Sequence, residues 1–151
     1  MPYTINQYRA CFACALGCEN YILVKGSGVE GPEYETLALA GAGCGIDNLE
    51  AIARFNAECD DLGIDTISLG NVLGFAMEMT EKRIKDFGLR FGDVATYLKM
   101  PELVAIKEGI GRELSLGVKQ LSRKYGALNL RCRSKGWNYP ATTRGAPGEW
   151  V

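Results

Sequence analysis

The stretch DNLEAIARFNAECDDLGID, residues 47–65, leaves the chain few options. Leu49, Ile52, Phe55, Cys59 and Leu62 follow one another at threes and fours, which sets them on one face of a helix. DNLE at 47–50 has the form of an N-cap with an acid three residues on. Gly63 is placed to end that helix in the left-handed conformation. Asp65 can cap a second helix, which runs through Ile67, Val72, Phe75, Ala76 and Met79 to about Lys82.

The same alternation of caps and apolar faces continues on both sides. Pro32 can occupy the first position of a helix carrying Glu33, Glu35, Leu37 and Leu39. KDFGLRFGD, 85–93, is a loop ending in another Asp cap. Pro101 starts a short helix that GIG at 109–111 breaks, and Leu114, Val118, Leu121 and Tyr125 mark a final helix closed by Gly126. Gly70 and Gly74 lie four apart on one face, each costing about 1 kcal/mol relative to Ala, so another backbone or a flat ligand should approach there. NYILVKGSGVE, 20–30, reads as an extended stretch followed by a Gly-rich turn. Residues 127–151 have no periodicity. These signals predict an all-α, multihelical fold of about five helices, with a short β-hairpin or extended stretch near residues 20–30. They predict a single domain over 1–151 with an irregular tail from 127.

Composition narrows the function. A formal net charge of −1 gives no electrostatic case for nucleic acid or an anionic membrane. No apolar run approaches the roughly 20 residues a bilayer crossing needs. MPYTINQYRA lacks the apolar segment of a signal peptide, so a cytoplasmic protein is the default expectation. The chain has no histidine. That excludes a Ser–His–Asp or Cys–His pair, an HExxH zinc site and a Cys₂His₂ finger.

CFACALGC, residues 11–18, gathers Cys11, Cys14 and Cys18 in a C-x2-C-x3-C pattern. Iron and zinc both favour thiolates at near-tetrahedral angles. Zinc sites more often show two separated CxxC pairs, so the spacing leans toward an iron–sulfur cluster. The alternative is three small buried hydrophobes, a poor match to three cysteines in eight residues. Cys59 falls on the apolar helix face, Cys44 follows a Gly-rich turn, and Cys132 in RCRS has the most exposed setting. None is a clear fourth ligand.

A wider series carries more. CFACALGC, GPEYETLAL (31–39), CGIDNLEAI (44–52), DDLGIDTISLGN (60–71), FAMEM (75–79) and EGIG (108–111) occur in this order at close spacing. Together they resemble the middle and C-terminal helical region of the aldehyde ferredoxin oxidoreductase family, tungsten–pterin enzymes of anaerobic microbes. The resemblance covers roughly residues 9–145. It implies that Cys11, Cys14 and Cys18 supply three of four ligands to a 4Fe–4S cluster. It implies that Asp60, Gly63, Ile64 and Asp65 match a D-x-x-G-L-D segment gripping one pterin of a tungsten (or molybdenum) bis-pterin centre. A pterin edge presents adjacent N–H donors, which a carboxylate accepts bidentately. By the residues alone, the same segment reads as a helix–turn–helix junction. The resemblance also puts Glu35 of GPEYET beside the metal, bonded to a metal-bound oxygen or handling a proton. The bland reading of Glu33 and Glu35 is that they complement a helix N-terminus.

The match has gaps. The family's N-terminal β-rich domain and its second D-x-x-G-L-C segment, which holds the fourth cluster cysteine, have no counterpart here. YPATTRG (139–145) resembles the family's Y-A-T-S-x-R-G, but Gly148 stands where a histidine follows. Both cofactor sites are therefore expected to be incomplete in this chain, which reads as a fragment, a decayed copy or one piece of a split enzyme. The full reaction takes a small aldehyde and water to a carboxylate and passes electrons to ferredoxin. On this reading the isolated chain is inactive, or a further chain completes the site. The alternative is a small iron–sulfur electron-transfer or interaction subunit without catalysis; a structural zinc module is a third reading.

Overall fold

The computed structural model describes residues 3–10, 12, 13, 15, 19–24, 27–127 and 130. Three strands open the chain: β1 (Tyr3–Arg9), β2 (Glu19–Val24) and β3 (Ser27–Gly31). They form an antiparallel sheet in the order β1-β2-β3. The β2–β3 hairpin, with Val24 opposite Ser27 and Asn20 opposite Gly31, is the one expected near residues 20–30. Strand β1 was not expected. It is an edge strand whose pairing with β2 shifts register between Ile5 and Gln7, and such an irregularity interrupts the period-two pattern by which a strand is read.

The rest is helical. Helix α1 (Tyr34–Thr36) continues as a π-helical stretch, Leu37–Gly41, and a 3₁₀ turn, Ala42–Cys44. The two long helices follow, α2 (Leu49–Leu62) and α3 (Thr66–Glu81). Four short ones complete the described part: α4 (Val94–Tyr97), α5 (Met100–Ala105), α6 (Gly111–Leu114) and α7 (Gly117–Lys124). The cap of α2 is Asn48 rather than Asp47: its side-chain oxygen accepts from the Ala51 N–H at 3.1 Å. Asp65 caps α3 and Asp93 caps α4, as their positions predict. The single helix expected over Leu114–Tyr125 is two. Gly117 at φ 77° breaks it, because one left-handed residue ends the run of i→i−4 hydrogen bonds.

The core runs as one cluster from Ala40 to Leu130. Helix α3 is its centre: of the eleven positions from Leu69 to Met79, all but Glu78 are buried. A helix apolar almost all round belongs in the middle of a structure, not on its surface. Phe55 of α2 stacks on Tyr97 of α4 with ring centroids 4.4 Å apart. Cys59 is buried on the α2 face as its periodicity predicts, and Cys44 is buried too. No helix among the described residues is long and apolar enough to cross a membrane.

Candidate functional site

Between α2 and α3 the chain turns in three residues, Gly63, Ile64 and Asp65. The Gly63 N–H donates to the Asp60 carbonyl at 3.1 Å, and the Ile64 N–H donates to the Cys59 carbonyl at 2.8 Å. With Gly63 at φ 67°, this is the paired-bond helix ending that closes two orphan carbonyls at once. Ile64 tucks against the core, which fixes the exit direction. The Asp65 carboxylate then accepts from the Ser68 N–H at 2.7 Å and starts α3. The geometry is the helix–turn–helix junction that the residues alone predict. It is also open: a Cβ built on Gly63 meets nothing within 4 Å, and Asp60, Asp61, Gly63 and Asp65 are exposed.

Its electrostatics run against helix preference. The last turn of α2 carries Asp60 and Asp61 and no basic residue, although the carbonyl end of a helix disfavours negative charge. Burial, and then the Asp61 charge, push the Asp60 carboxyl above its ordinary range. One oxygen, Oδ2, accepts from Nδ2 of the buried Asn56 at 3.0 Å. Two residues back, Glu58 is raised as well, by burial and then by Glu102, with Arg54 acting the other way. The end of α2 thus presents carboxylates with no basic residue in its last turn.

Glu35 arrives from another direction. It is half-buried in the first turn of α1, and Glu33, at the cap position, makes no side-chain cap bond. The next residue, Thr36, is buried, and its hydroxyl lies 2.8 Å from the hydroxyl of Thr66. One turn further along both segments, a Cβ on Gly70 would stand 2.7 Å from the Ala40 nitrogen. The matched steps, 36 to 40 against 66 to 70, show that the α1–π segment runs parallel to α3. Their N-terminal ends therefore lie side by side, and GPEYET meets DDLGID through Thr36 and Thr66. The sequence reading passed over these two threonines. Each directly follows a candidate acid, Glu35 or Asp65, but only the fold pairs them. The expectation that a backbone approaches the α3 glycines holds at Gly70.

The cysteines divide. Cys11, Cys14, Cys18 and Cys132 lie outside the described residues, as do residues 139–148. The Cys44 S–H donates to the Leu39 and Gly70 carbonyls, both at 3.6 Å. Burial pushes the Cys59 thiol up to about 12, so it stays protonated and is a core residue. Among the described residues, no group of three or more Cys, Asp or Glu side chains could hold a metal ion. A cleft of about 600 Å³, lined by Met77, Arg83, Lys85, Arg90 and Phe91 among others, sits at the other end of α3. Helix α3 spans roughly 24 Å, so this cleft is separate from the junction.

Comparison with known proteins gives these segments a common context. The family model described as "Aldehyde ferredoxin oxidoreductase, domains 2 & 3" matches residues 1–150. The tungsten-containing aldehyde ferredoxin oxidoreductase of Pyrococcus furiosus is 39% identical over 93% of this chain, which covers 25% of that protein. Its counterpart from Thermococcus kodakarensis is 35% identical with the same coverage. An aliphatic sulfonate oxidoreductase WOR-like subunit of P. furiosus is 35% identical over 82% of the chain and 22% of its own length. The chain thus spans about a quarter of the length of these relatives. A match that takes in the strands, both long helices and the junction between them is a match of the whole described architecture: the chain belongs to the aldehyde ferredoxin oxidoreductase family.

Proposed function

We propose that this chain supplies part of an aldehyde-oxidising site. Asp60, Gly63, Ile64 and Asp65 bind the edge of one pterin of a tungsten (or molybdenum) bis-pterin centre, with Glu35 beside the metal. Cys11, Cys14 and Cys18 supply three thiolates to a 4Fe–4S cluster, which passes electrons to ferredoxin. The observation that carries the reading is Asp60: an exposed carboxylate at the wrong end of a helix, raised in pKa, with one oxygen on Asn56 and the other available. Local rules broken in this way tend to mark functional positions. Adjacent N–H donors would relieve it, and a pterin edge presents such donors, so the residues fit the group. When bound, the metal and its pterins supply the two-electron chemistry that converts an aldehyde and water to a carboxylate.

The chain's own residues have simpler tasks. Asp60 accepts hydrogen bonds and orients the ring. Gly63, left-handed and open, lets the backbone turn without blocking it. Asp65 fixes the start of α3 through its bond to Ser68. Glu35 holds or moves a proton at its carboxylate. The 151 residues by themselves are not expected to reduce a viologen dye with aldehyde, because both cofactor sites draw on segments outside them.

Metal and pterin analysis after anaerobic purification, from a host that makes the pterin, tests the reading. Tungsten or molybdenum with pterin, lost at least tenfold in Asp60→Asn, supports it. Iron and sulfide without pterin would instead favour a non-catalytic electron-transfer or interaction subunit. Zinc alone would overturn both.

A further inference from the structure

We propose that the Thr36–Thr66 hydroxyl pair is a positioning link, setting Glu35 relative to the Asp60–Asp65 junction; the inference rests on the function proposed above. The two hydroxyls are 2.8 Å apart and join residues 30 positions distant in sequence. Thr36 directly follows Glu35, and Thr66 directly follows Asp65. Successive Cα atoms are 3.8 Å apart across a trans peptide, so a shift of either threonine carries its acidic neighbour with it.

The link is the first of two pins. The second is the backbone contact of Ala40 with Gly70, one turn on. Two points fix both the spacing and the direction of the seam. The Ala40–Gly70 contact alone leaves the N-terminal ends, where the acids sit, free to splay. The π stretch Leu37–Gly41 begins at the first pin and contains the second; at its end the Ala42 N–H is shared between the Ala38 and Leu37 carbonyls. So short a helical segment depends on its neighbour for its position. Thr36 is 3% exposed, so its hydroxyl has little access to water once Thr66 is removed. A carboxylate that handles a proton must keep its place relative to the groups that orient the cofactor, since a shift of about 1 Å can cost 10²-fold in rate.

The test uses Thr36→Val and Thr66→Val, which keep the shape and remove the bond, beside Thr36→Ser and Thr66→Ser, which keep the hydroxyl. In the metal- and pterin-loaded enzyme containing this chain, the Val variants should lower kcat about tenfold at unchanged KM and unchanged metal and pterin content. The Ser variants should stay within about twofold of the parent. Amide hydrogen exchange over residues 35–41, which needs no metal, should quicken about tenfold in the Val variants only. Exchange that quickens while kcat and KM stay put would make the pair a structural tie and overturn the positioning role. Unchanged exchange would overturn the link itself. Glu35→Gln separates the two levels: if it leaves kcat intact, the assigned role of Glu35 fails, and exchange still decides whether the pair holds the seam. Should Thr36→Val not fold, the half-buried Thr66 can be varied alone.

Discussion

The α2–α3 junction and the α1–α3 seam are each built on a glycine of nearly adjacent helical turns, and they use it in opposite ways. Gly63 is needed for its backbone angle and stands in open space. Gly70 has no unusual angle and is needed because a Cβ would strike the Ala40 and Leu39 backbone at 2.7–2.9 Å. The junction exposes carboxylates that want donors. The seam pairs the hydroxyl of buried Thr36 with that of half-buried Thr66 and brings two backbones into contact. The difference teaches how this part of the molecule divides its work: a closed seam holds the frame rigid, so that the open junction can keep its polar groups aimed outward.

That division can be broken at either side, and the seam should break harder. Gly70→Ala forces two backbones apart, an overpacking cost of about 3 kcal/mol. For a chain of this size that lowers the melting temperature by roughly 6–12 °C. Gly63→Ala leaves packing untouched and should cost only the left-handed penalty, about 1–2 kcal/mol. Thermal unfolding of the pair in parallel checks the order, and equal losses would mean that the seam is not the closer-packed of the two.

Asp65→Ala removes the bond to the Ser68 N–H without opening a cavity. The loss expected for such a cap is about 1 kcal/mol, read from chemical denaturation with an unchanged slope. The smallest effect should come from Asp60. Its folded-state pKa lies above its ordinary value of 3.8, so the native state holds that proton more tightly. Its contribution is most favourable below the ordinary value and falls as pH rises to the raised one. Above that it is a constant penalty. Asp60→Asn removes the slope. Its stability relative to the parent should therefore improve between acid and neutral pH and stay level above. A relative stability that falls over the same range would reverse the sign of the Asp60 assignment.

Much of the frame was legible because its signals are local. Asp65, Asp93, Gly63 and Gly126 punctuate helices through bonds and angles that involve only a few neighbouring residues. The middle of the buried face of α2, Ile52, Phe55 and Cys59, follows from one period, but Leu62, the last member of that period, is exposed because it sits at the helix end beside the open junction. The one helix misread as continuous, across Gly117, fails for a related reason: an apolar period can run through a left-handed residue without showing the break. The edge strand β1 was hidden because its bulge disturbs the alternation and its identity rests on a partner ten or more residues away. At the site, the four residues of the junction and Glu35 were named from resemblance, while Asn56, Thr36 and Thr66 were not.

The sequence by itself determined where α2 ends and α3 begins, that Cys59 faces the core, and that Gly70 lies against something close. It did so because caps, left-handed glycines and helical periods act within a turn or two of chain. Only the tertiary structure decided that the α1–π segment runs parallel to α3, that Thr36 meets Thr66, and that the Asp60 carboxyl is raised. Those depend on contacts between distant segments and on how much water is excluded around a charge, and no spacing along the chain encodes either.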